Sequence, residues 1–334
     1  MIDGIGCVTF HELTARFGSA QQALDDAERA RGRAPALAAA DAALDAAGRL
    51  GMTLLPHDHP ALPGALRDLD DVPPVLWAIG DLALLGDIPR VAIVGTRRAT
   101  AYGERVTRAI AGAFARLGAC VVSGMARGVD SAAHRAALEA GGTTIAVLGT
   151  GADLAYPNAN RALHAEIGSR GLLLSEYPPG ERANSGSFPR RNRIIAALAP
   201  LTIVVEAGVK SGALITATYA NSLNRTVGAV PGPIDQPQSE GANLLIRDGA
   251  HIIASVEDAL ALLGLTRAVR LPELAPGSDE SLVWAALNAG SVDVDALCSR
   301  TALPADRCLA AVTTLELRGA VECSISGDVR RRIG

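Results

Sequence analysis

From Val91 onward the chain alternates between short, nearly continuous apolar runs and longer stretches in which apolar residues recur at helical spacing. The runs are Val91-Ala92-Ile93-Val94, Cys120-Val121-Val122, Thr144-Ile145-Ala146-Val147-Leu148, Leu172-Leu173-Leu174, Thr202-Ile203-Val204-Val205, Val227-Gly228-Ala229-Val230 and His251-Ile252-Ile253. A strand that is apolar at every position has no face for water, so these runs predict a mostly parallel sheet covered by helices on both sides. Residues 91–265 are therefore expected to form a doubly wound α/β core. Four of the runs end on small residues or glycine, at Gly95, Ser123-Gly124, Gly149-Thr150-Gly151 and Glu206-Ala207-Gly208. Ligands of doubly wound sheets sit outside the carboxyl ends of the strands, so these ends are expected to converge on one crevice. Glycine also serves βα turns that need a positive φ, and that reading stands beside the first.

The flanks have other rhythms. Residues 1–48 read as a small helical module, with a Gly4-Ile5-Gly6 turn, then Val8, Leu13, Phe17 and Leu24 at helical spacing, then an Ala-rich run from Ala34 to Ala47. Residues 49–90 are punctuated by Pro56, Pro60, Pro63, Pro73, Pro74 and Pro89, which predicts a packed connecting segment without long regular elements. Residues 266–278 read as a linker. Residues 279–334 read as helices around Leu282–Leu287, Val294–Ser299 and Ala305–Arg318, then a strand at Val321–Ile325 with a turn at Gly327-Asp328. Three helices and a small hairpin describe a winged helix. Its third helix sets Arg307 and Arg318 against Asp306 and Glu316, too little net positive charge for a major-groove reader, so a protein contact is the favoured role.

Composition narrows this picture. With 49% hydrophobic and 20% charged residues over 334 positions, the chain can build a packed core in two or three domains. A net charge of -4 argues against coating duplex DNA through bulk electrostatics, so any nucleic-acid site must be a local patch. Cys7, Cys120, Cys298, Cys308 and Cys323 form no CxxC pair and read as reduced thiols. His57 and His59 are the only closely spaced histidines, and no metal site or cofactor is expected. The N-terminus lacks a signal-peptide pattern and no apolar stretch is long enough to span a membrane, so a cytoplasmic location is expected.

The candidate chemistry is binding chemistry. Ser187-Phe188-Pro189-Arg190-Arg191-Asn192-Arg193 crowds three arginines beside an aromatic ring, in a chain with four Phe, four Tyr and two Trp. Stacking combined with phosphate contacts is how single-stranded nucleic-acid sites work, although a solvated Arg-rich loop leading into a buried helix fits the run as well. Gly124-Met125-Ala126-Arg127-Gly128-Val129-Asp130-Ser131 leaves a strand and opens a helix. Asp130 or Ser131 is the expected N-cap, with free amides and Arg127 available to an anion. Gly95-Thr96-Arg97-Arg98 places bulky arginines where a dinucleotide fold needs glycine, which weakens the case for a dinucleotide. Lys210 and Ser211 precede another helix and can meet phosphate, while Glu206 is a lone strand-end carboxylate able to act as a base. No nucleophile elbow or Walker motif is present, and no catalytic residue is assigned.

Val94-Gly95-Thr96-Arg97, the Ser123–Asp130 turn, Ser187-Phe188-Pro189-Arg190-Arg191-Asn192-Arg193-Ile194-Ile195, Val205-Glu206-Ala207, Ser211–Ala217 and Pro231-Gly232 with Gly241-Ala242-Asn243 together resemble the DNA-processing protein DprA (Smf) family across residues 91–260. The helical start and winged-helix end resemble that family's accessory domains, the first of helix-hairpin-helix or SAM-like type. The resemblance implies an extended Rossmann-like core that dimerises, binds and protects incoming single-stranded DNA during natural transformation, and loads the RecA recombinase, without enzymatic turnover. Carried onto this chain, it implies a DNA site formed by Arg97, Phe188, Arg191 and Arg193 over Gly124, Arg127 and Gly128, with Arg190, Asn192, Lys210 and Ser211 beside them. Two rival readings remain: a Rossmann-like nucleotide-processing enzyme of the phosphoribohydrolase type working through Glu206, and a winged-helix transcription regulator.

Overall fold

The structure is a computed structural model that describes residues 7–27, 33–184, 186–265, 274–287, 292–318, 320–324 and 327–331. The chain divides into two compact units, residues 1–265 and 266–334. The Gly4-Ile5-Gly6 turn and most of the expected linker lie outside the described residues.

The first unit opens with three helices, α1 (Cys7–Phe17), α2 (Ala20–Ala27) and α3 (Arg33–Arg49). A nine-stranded sheet follows. Its strands are β1 (Thr53–Pro56), β2 (Val75–Gly80), β3 (Arg90–Gly95), β4 (Cys120–Ser123), β5 (Thr144–Leu148), β6 (Leu172–Ser175), β7 (Leu201–Val205), β8 (Thr226–Ala229) and β9 (His251–Ile252). They lie in the order β1-β2-β6-β5-β4-β3-β7-β8-β9. Strands β3 to β9 pair in parallel, while β2 joins β6 and β1 joins β2 antiparallel. The helices between the parallel strands are α4 (Ala101–Arg116), α5 (Val129–Glu139), α6 (Arg161–Arg170), α7 (Ser187–Leu198), α8 (Gly212–Ser222) and α9 (Pro237–Arg247), with α10 (Val256–Leu262) after β9.

The apolar runs behave as their composition demands. On β3, Ala92 and Val94 join one buried cluster while Val91 and Ile93 join another on the opposite face. On β7, Val204 faces the first cluster, and Leu201, Ile203 and Val205 face the second. Each fully buried Val or Ile contributes about 1.5–3 kcal/mol, so both layers hold the central strands in place.

The Pro-rich segment differs from expectation, because it supplies β1 and β2 and extends the sheet. Its prolines cost the ladder little, since Pro56 ends β1 and Pro73-Pro74 precede β2 without interrupting either strand.

The second unit is a winged helix. Its helices are α11 (Asp279–Ala286), α12 (Val294–Thr301) and α13 (Ala305–Leu317), and its sheet is β10 (Val292–Asp293), β12 (Asp328–Arg331) and β11 (Val321–Cys323), antiparallel in that order. Val283, Leu297, Val312, Leu315, Val321 and Val329 form its core. Ser278 and Asp293 cap α11 and α12 through their side chains. Among the described residues of the chain, no helix is long and apolar enough to cross a membrane, and no His, Cys, Asp and Glu cluster could hold a metal ion.

Candidate nucleic-acid interface

After β3 the chain builds outward through β4, β5 and β6, then returns to the other side of β3 as β7. The turns that follow β3 and β7 therefore part in opposite directions and leave a crevice at the topological switch point. A cavity of about 620 Å³ opens there. The turn after β3 lines it with Thr96, Arg97 and Arg98, α7 with Phe188, Arg191 and Asn192, the entry to α8 with Lys210 and Ser211, and α9 with Gln238 and Glu240.

The turn after β3 is held by Glu206. Thr96 N donates to the Glu206 carbonyl at 2.7 Å, and the Glu206 carboxylate accepts from Thr100 N at 2.9 Å and from the Thr100 hydroxyl. Glu206 adopts a φ of 51° and is buried, and the first turn of α4 must bring Gly103 against it, since a Cβ there would stand 2.2 Å from Oε2. The strand-end carboxylate read from the sequence as a possible base is thus committed to fixing the start of α4. Arg97 and Arg98 project from this turn into solvent, and neither forms an ion pair with a described residue. Arg97 places its guanidinium carbon 5.3 Å from the centroid of Phe188.

The turn after β4 corrects the expected anion site. The N-cap of α5 is Gly128, at φ 75°, and makes no side-chain cap. The Asp130 carboxylate, on the second residue of the helix, reaches back to accept from Gly124 N at 3.1 Å and Ala126 N at 3.4 Å. An internal carboxylate therefore occupies the amides an external anion would need. Burial pushes Asp130 upward from the usual carboxylate range, opposed by Arg191 and by the amides of Ala126, Gly124 and Gly95. Gly124 and Gly128 do not line the cavity. A Cβ at residue 124 would lie 2.3 Å from Arg191 Nη1, and one at residue 128 would lie 2.3 Å from the Thr96 carbonyl oxygen, so both glycines permit close packing. Arg127 is exposed and makes no ion pair with a described residue, but it stands outside the cavity wall.

Helix α7 divides its polar residues between two faces. Arg191 turns to the crevice floor, where Nη1 donates to the Gly124 carbonyl at 2.5 Å and to the Val147 carbonyl. Burial pushes its pKa down to about 10, against the pull of Asp130, and the group stays cationic at neutral pH. Asn192 Nδ2 donates to the Gly212 carbonyl at 3.1 Å and ties α7 to the start of α8. Arg190 and Arg193, three residues apart, share another face. Arg193 is fully buried and holds Glu176 at 2.7 and 2.9 Å, with Nε 2.7 Å from Asp71 Oδ1. Arg190 joins the same cluster, 3.2 Å from Glu176 and 2.8 Å from Cys7 Sγ. The structure therefore does not bring Arg190 and Arg193 to the crevice: their charge is spent on Glu176 and Asp71, locking α7 to β6 and to the β1–β2 segment. Lys210 is exposed without an ion partner among the described residues, and the Ser211 hydroxyl accepts from Ala213 N at 3.3 Å as the N-cap of α8.

One residue at this end of the sheet escaped the sequence reading. Tyr156, in the loop after β5, lies with its ring centroid 5.2 Å from that of Phe188. Its signal was an isolated tyrosine in Gly149-Thr150-Gly151-Ala152-Asp153-Leu154-Ala155-Tyr156, one of four in the chain and close behind a glycine-bearing strand end.

Comparison with known proteins places this geometry. Residues 53–264 match the family described as DNA recombination-mediator protein A, residues 268–324 the DprA winged helix domain, and residues 3–46 the DprA-like N-terminal HHH domain. Protein Smf of Synechocystis is 45% identical over 232 residues, covering 69% of this chain and 57% of that protein. This chain thus spans somewhat more than half of that relative's length. The X-ray structure of DNA processing protein A from Streptococcus pneumoniae superposes with a TM-score of 0.61 at 42% identity, covering 63% of this chain and 74% of that one. DNA processing protein A from Helicobacter pylori, from a structure concerned with its unique single-stranded DNA binding mode, gives a TM-score of 0.59 at 34% identity, covering 64% and 96%.

Proposed function

The chain belongs to the DNA recombination-mediator protein A family, and from that premise we propose that it binds single-stranded DNA across the carboxyl ends of its parallel strands, without catalysing a reaction on it. The observation that carries this reading is the set of cations with no ion partner among the described residues, Arg97, Arg98 and Lys210 at the cavity and Arg127 beside it, above the buried guanidinium of Arg191. Arginine and lysine without carboxylate partners attract a polyanion, and the Phe188 ring among them suits a strand whose bases are free to stack. The relative from Helicobacter pylori supports the same ligand.

In this reading the protein shields DNA taken up during transformation and delivers it to the RecA recombinase, acting as a homodimer through the large sheet unit in the cytoplasm. The nucleotide-processing alternative needs Glu206 as a base, and its carboxylate is already bound to Thr100. Fluorescence anisotropy with oligothymidine and with a duplex of equal length tests the proposal. Tighter binding of the single strand is expected, weakening with salt at a log-log slope of about 0.7 per phosphate contact. Equal affinity for both, or no binding of either, refutes it. Adding RecA to the bound strand and following filament formation tests the delivery step, which is refuted if the protein blocks filaments at every ratio.

A further inference from the structure

Beyond the crevice, the carboxyl edge of the sheet carries its charge unevenly. The segments that follow β8 and β9, residues 230–240 and 253–258, contain no lysine or arginine, and Asp235, Glu240, Glu257 and Asp258 are exposed there. On the other side, past β4 and β5, Arg127, Arg135 and Arg161 are all exposed, and none forms an ion pair with a described residue. A polyanion leaving the crevice is repelled in the first direction and drawn in the second.

The three arginines come from different elements, and buried Asn160 gathers them. Its Nδ2 donates to the Met125 carbonyl at 2.9 Å, which fixes the turn that carries Arg127, and its Oδ1 accepts from Arg135 Nη2 at 3.5 Å. Arg161 is the next residue and opens α6. Acids on the same elements are engaged elsewhere. Glu139, one turn beyond Arg135 on α5, pairs with Arg108, and Glu166 pairs with Arg170 at 2.7 Å. Asp153, in the loop after β5, accepts from Gly180 N at 3.0 Å. After β6 an exposed Glu181 offsets the exposed Arg182, so the basic surface ends at β5. Neighbouring strands lie about 4.8 Å apart, which puts β5 about 10 Å from β3, a span that the nucleotides next to the one at Arg97 can cover.

We propose that the bound strand continues out of the crevice over the β4–β5 side, rather than over β8 and β9, and that Arg135 and Arg161 meet its phosphates after Arg127. The proposal rests on the single-strand reading above and gives it a direction and a length. Arg97 and Phe188 hold the nucleotides in the crevice, and the surface between α5 and α6 holds those that follow. Contacts to phosphate carry no sequence information, so this part of the path accepts any strand.

Competition binding with oligothymidines of about 4 and about 16 nucleotides tests the path, using the full chain and three variants: Arg135→Gln with Arg161→Gln, Arg135→Lys with Arg161→Lys, and Arg97→Ala. The double glutamine variant should bind the short oligomer as the unmodified chain does. On the long oligomer its salt slope should be lower by about 1.4, two contacts at about 0.7 each, which amounts to about a 25-fold loss at 0.1 M salt that closes toward 1 M. The double lysine variant keeps both charges and should restore the affinity for the long oligomer. Equal affinity of the glutamine variant and the unmodified chain for the long oligomer overturns the proposal, as does an equal loss on both lengths. Two short oligomers bound by the unmodified chain and one by the glutamine variant would make this surface a separate site and overturn the continuous path. Failure of the unmodified chain to bind either oligomer, or indifference to Arg97→Ala, overturns the single-strand reading itself and the proposal with it. Unchanged thermal melting of the glutamine variant confirms that folded proteins are being compared.

Discussion

At the carboxyl ends of the parallel strands, Arg97, Arg98, Arg127 and Lys210 reach into solvent with no carboxylate partner among the described residues, while Arg307, Arg330 and Arg331 of the winged-helix unit are each engaged within that unit. There Arg307 holds Asp279 through two hydrogen bonds of 2.8 and 2.6 Å, Arg330 holds Glu322 at 2.5 Å, and Arg331 stacks 4.1 Å over Trp284. The two units have similar side chains available and use them for different ends. A guanidinium already facing a carboxylate has to give that partner up before it can meet a phosphate, whereas a bare one does not. On the proposed reading, the polyanion is met by the bare cations of the large sheet unit rather than by these engaged arginines.

The largest effect that would break this comparison comes from the bare cations. Replacing Arg97, Arg98, Arg127 and Lys210 together by alanine should reduce oligothymidine binding to background, and any residual salt slope should fall by about 0.7 per lost contact. Retained affinity would mean that the charge serving DNA lies elsewhere. Next in size is a paired arginine of the same unit. Arg193→Ala removes the closer of the two arginines on buried Glu176 and leaves it only Arg190 at 3.2 Å, so chemical denaturation should show a loss of about 3 kcal/mol, with little effect on the affinity of the molecules that remain folded.

Acid titration separates the two properties further. Burial lowers the His134 pKa from 6.5 to about 3, assisted by Arg191 and Arg135. Its folded value lies below its unfolded one, so the stabilisation is complete above about pH 6.5 and is lost as the pH falls toward about 3. At pH 5 the loss should be about 2 kcal/mol, while the exposed arginines stay charged and single-strand affinity holds. His134→Gln should flatten that part of the stability profile, and an unchanged slope would show that another group is responsible. The smallest effect is expected in the winged helix, where Arg307→Ala and Arg330→Ala should leave oligothymidine affinity unchanged. A marked drop there would erase the distinction between the units.

The large sheet was legible because its strands are uniform: a run such as Thr202-Ile203-Val204-Val205 is apolar on both faces and admits few other readings. β1 and β2 were not legible, since a proline count says that a segment is interrupted but not that the interruptions fall at strand ends. The crevice was legible in its cations after β3 and before α8, which adjoin strand ends in the sequence. The division within α7 was not. Whether Arg190, Arg191 or Arg193 meets the crevice depends on Glu176 and Asp71, which come from other parts of the chain, and nothing in Arg190-Arg191-Asn192-Arg193 specifies them. Asp130 was read as a helix cap from its position, and its reach back to Gly124 and Ala126 depends on the φ of 60° at Met125, which favours glycine and is not signalled by a methionine.

Arg191 has one more consequence. Where neighbouring parallel strands end and diverge, their last carbonyl oxygens lose their ladder partners and point partial negative charge outward. Left alone, the gap between the ends of β4 and β5 would repel a phosphate. By donating to the carbonyls of Gly124 and Val147, Arg191 saturates those oxygens and sets a cation among them, with Asp130 as its countercharge. The exposed Arg97, Arg98 and Lys210 then stand over a crevice floor whose strand-end carbonyls are already satisfied.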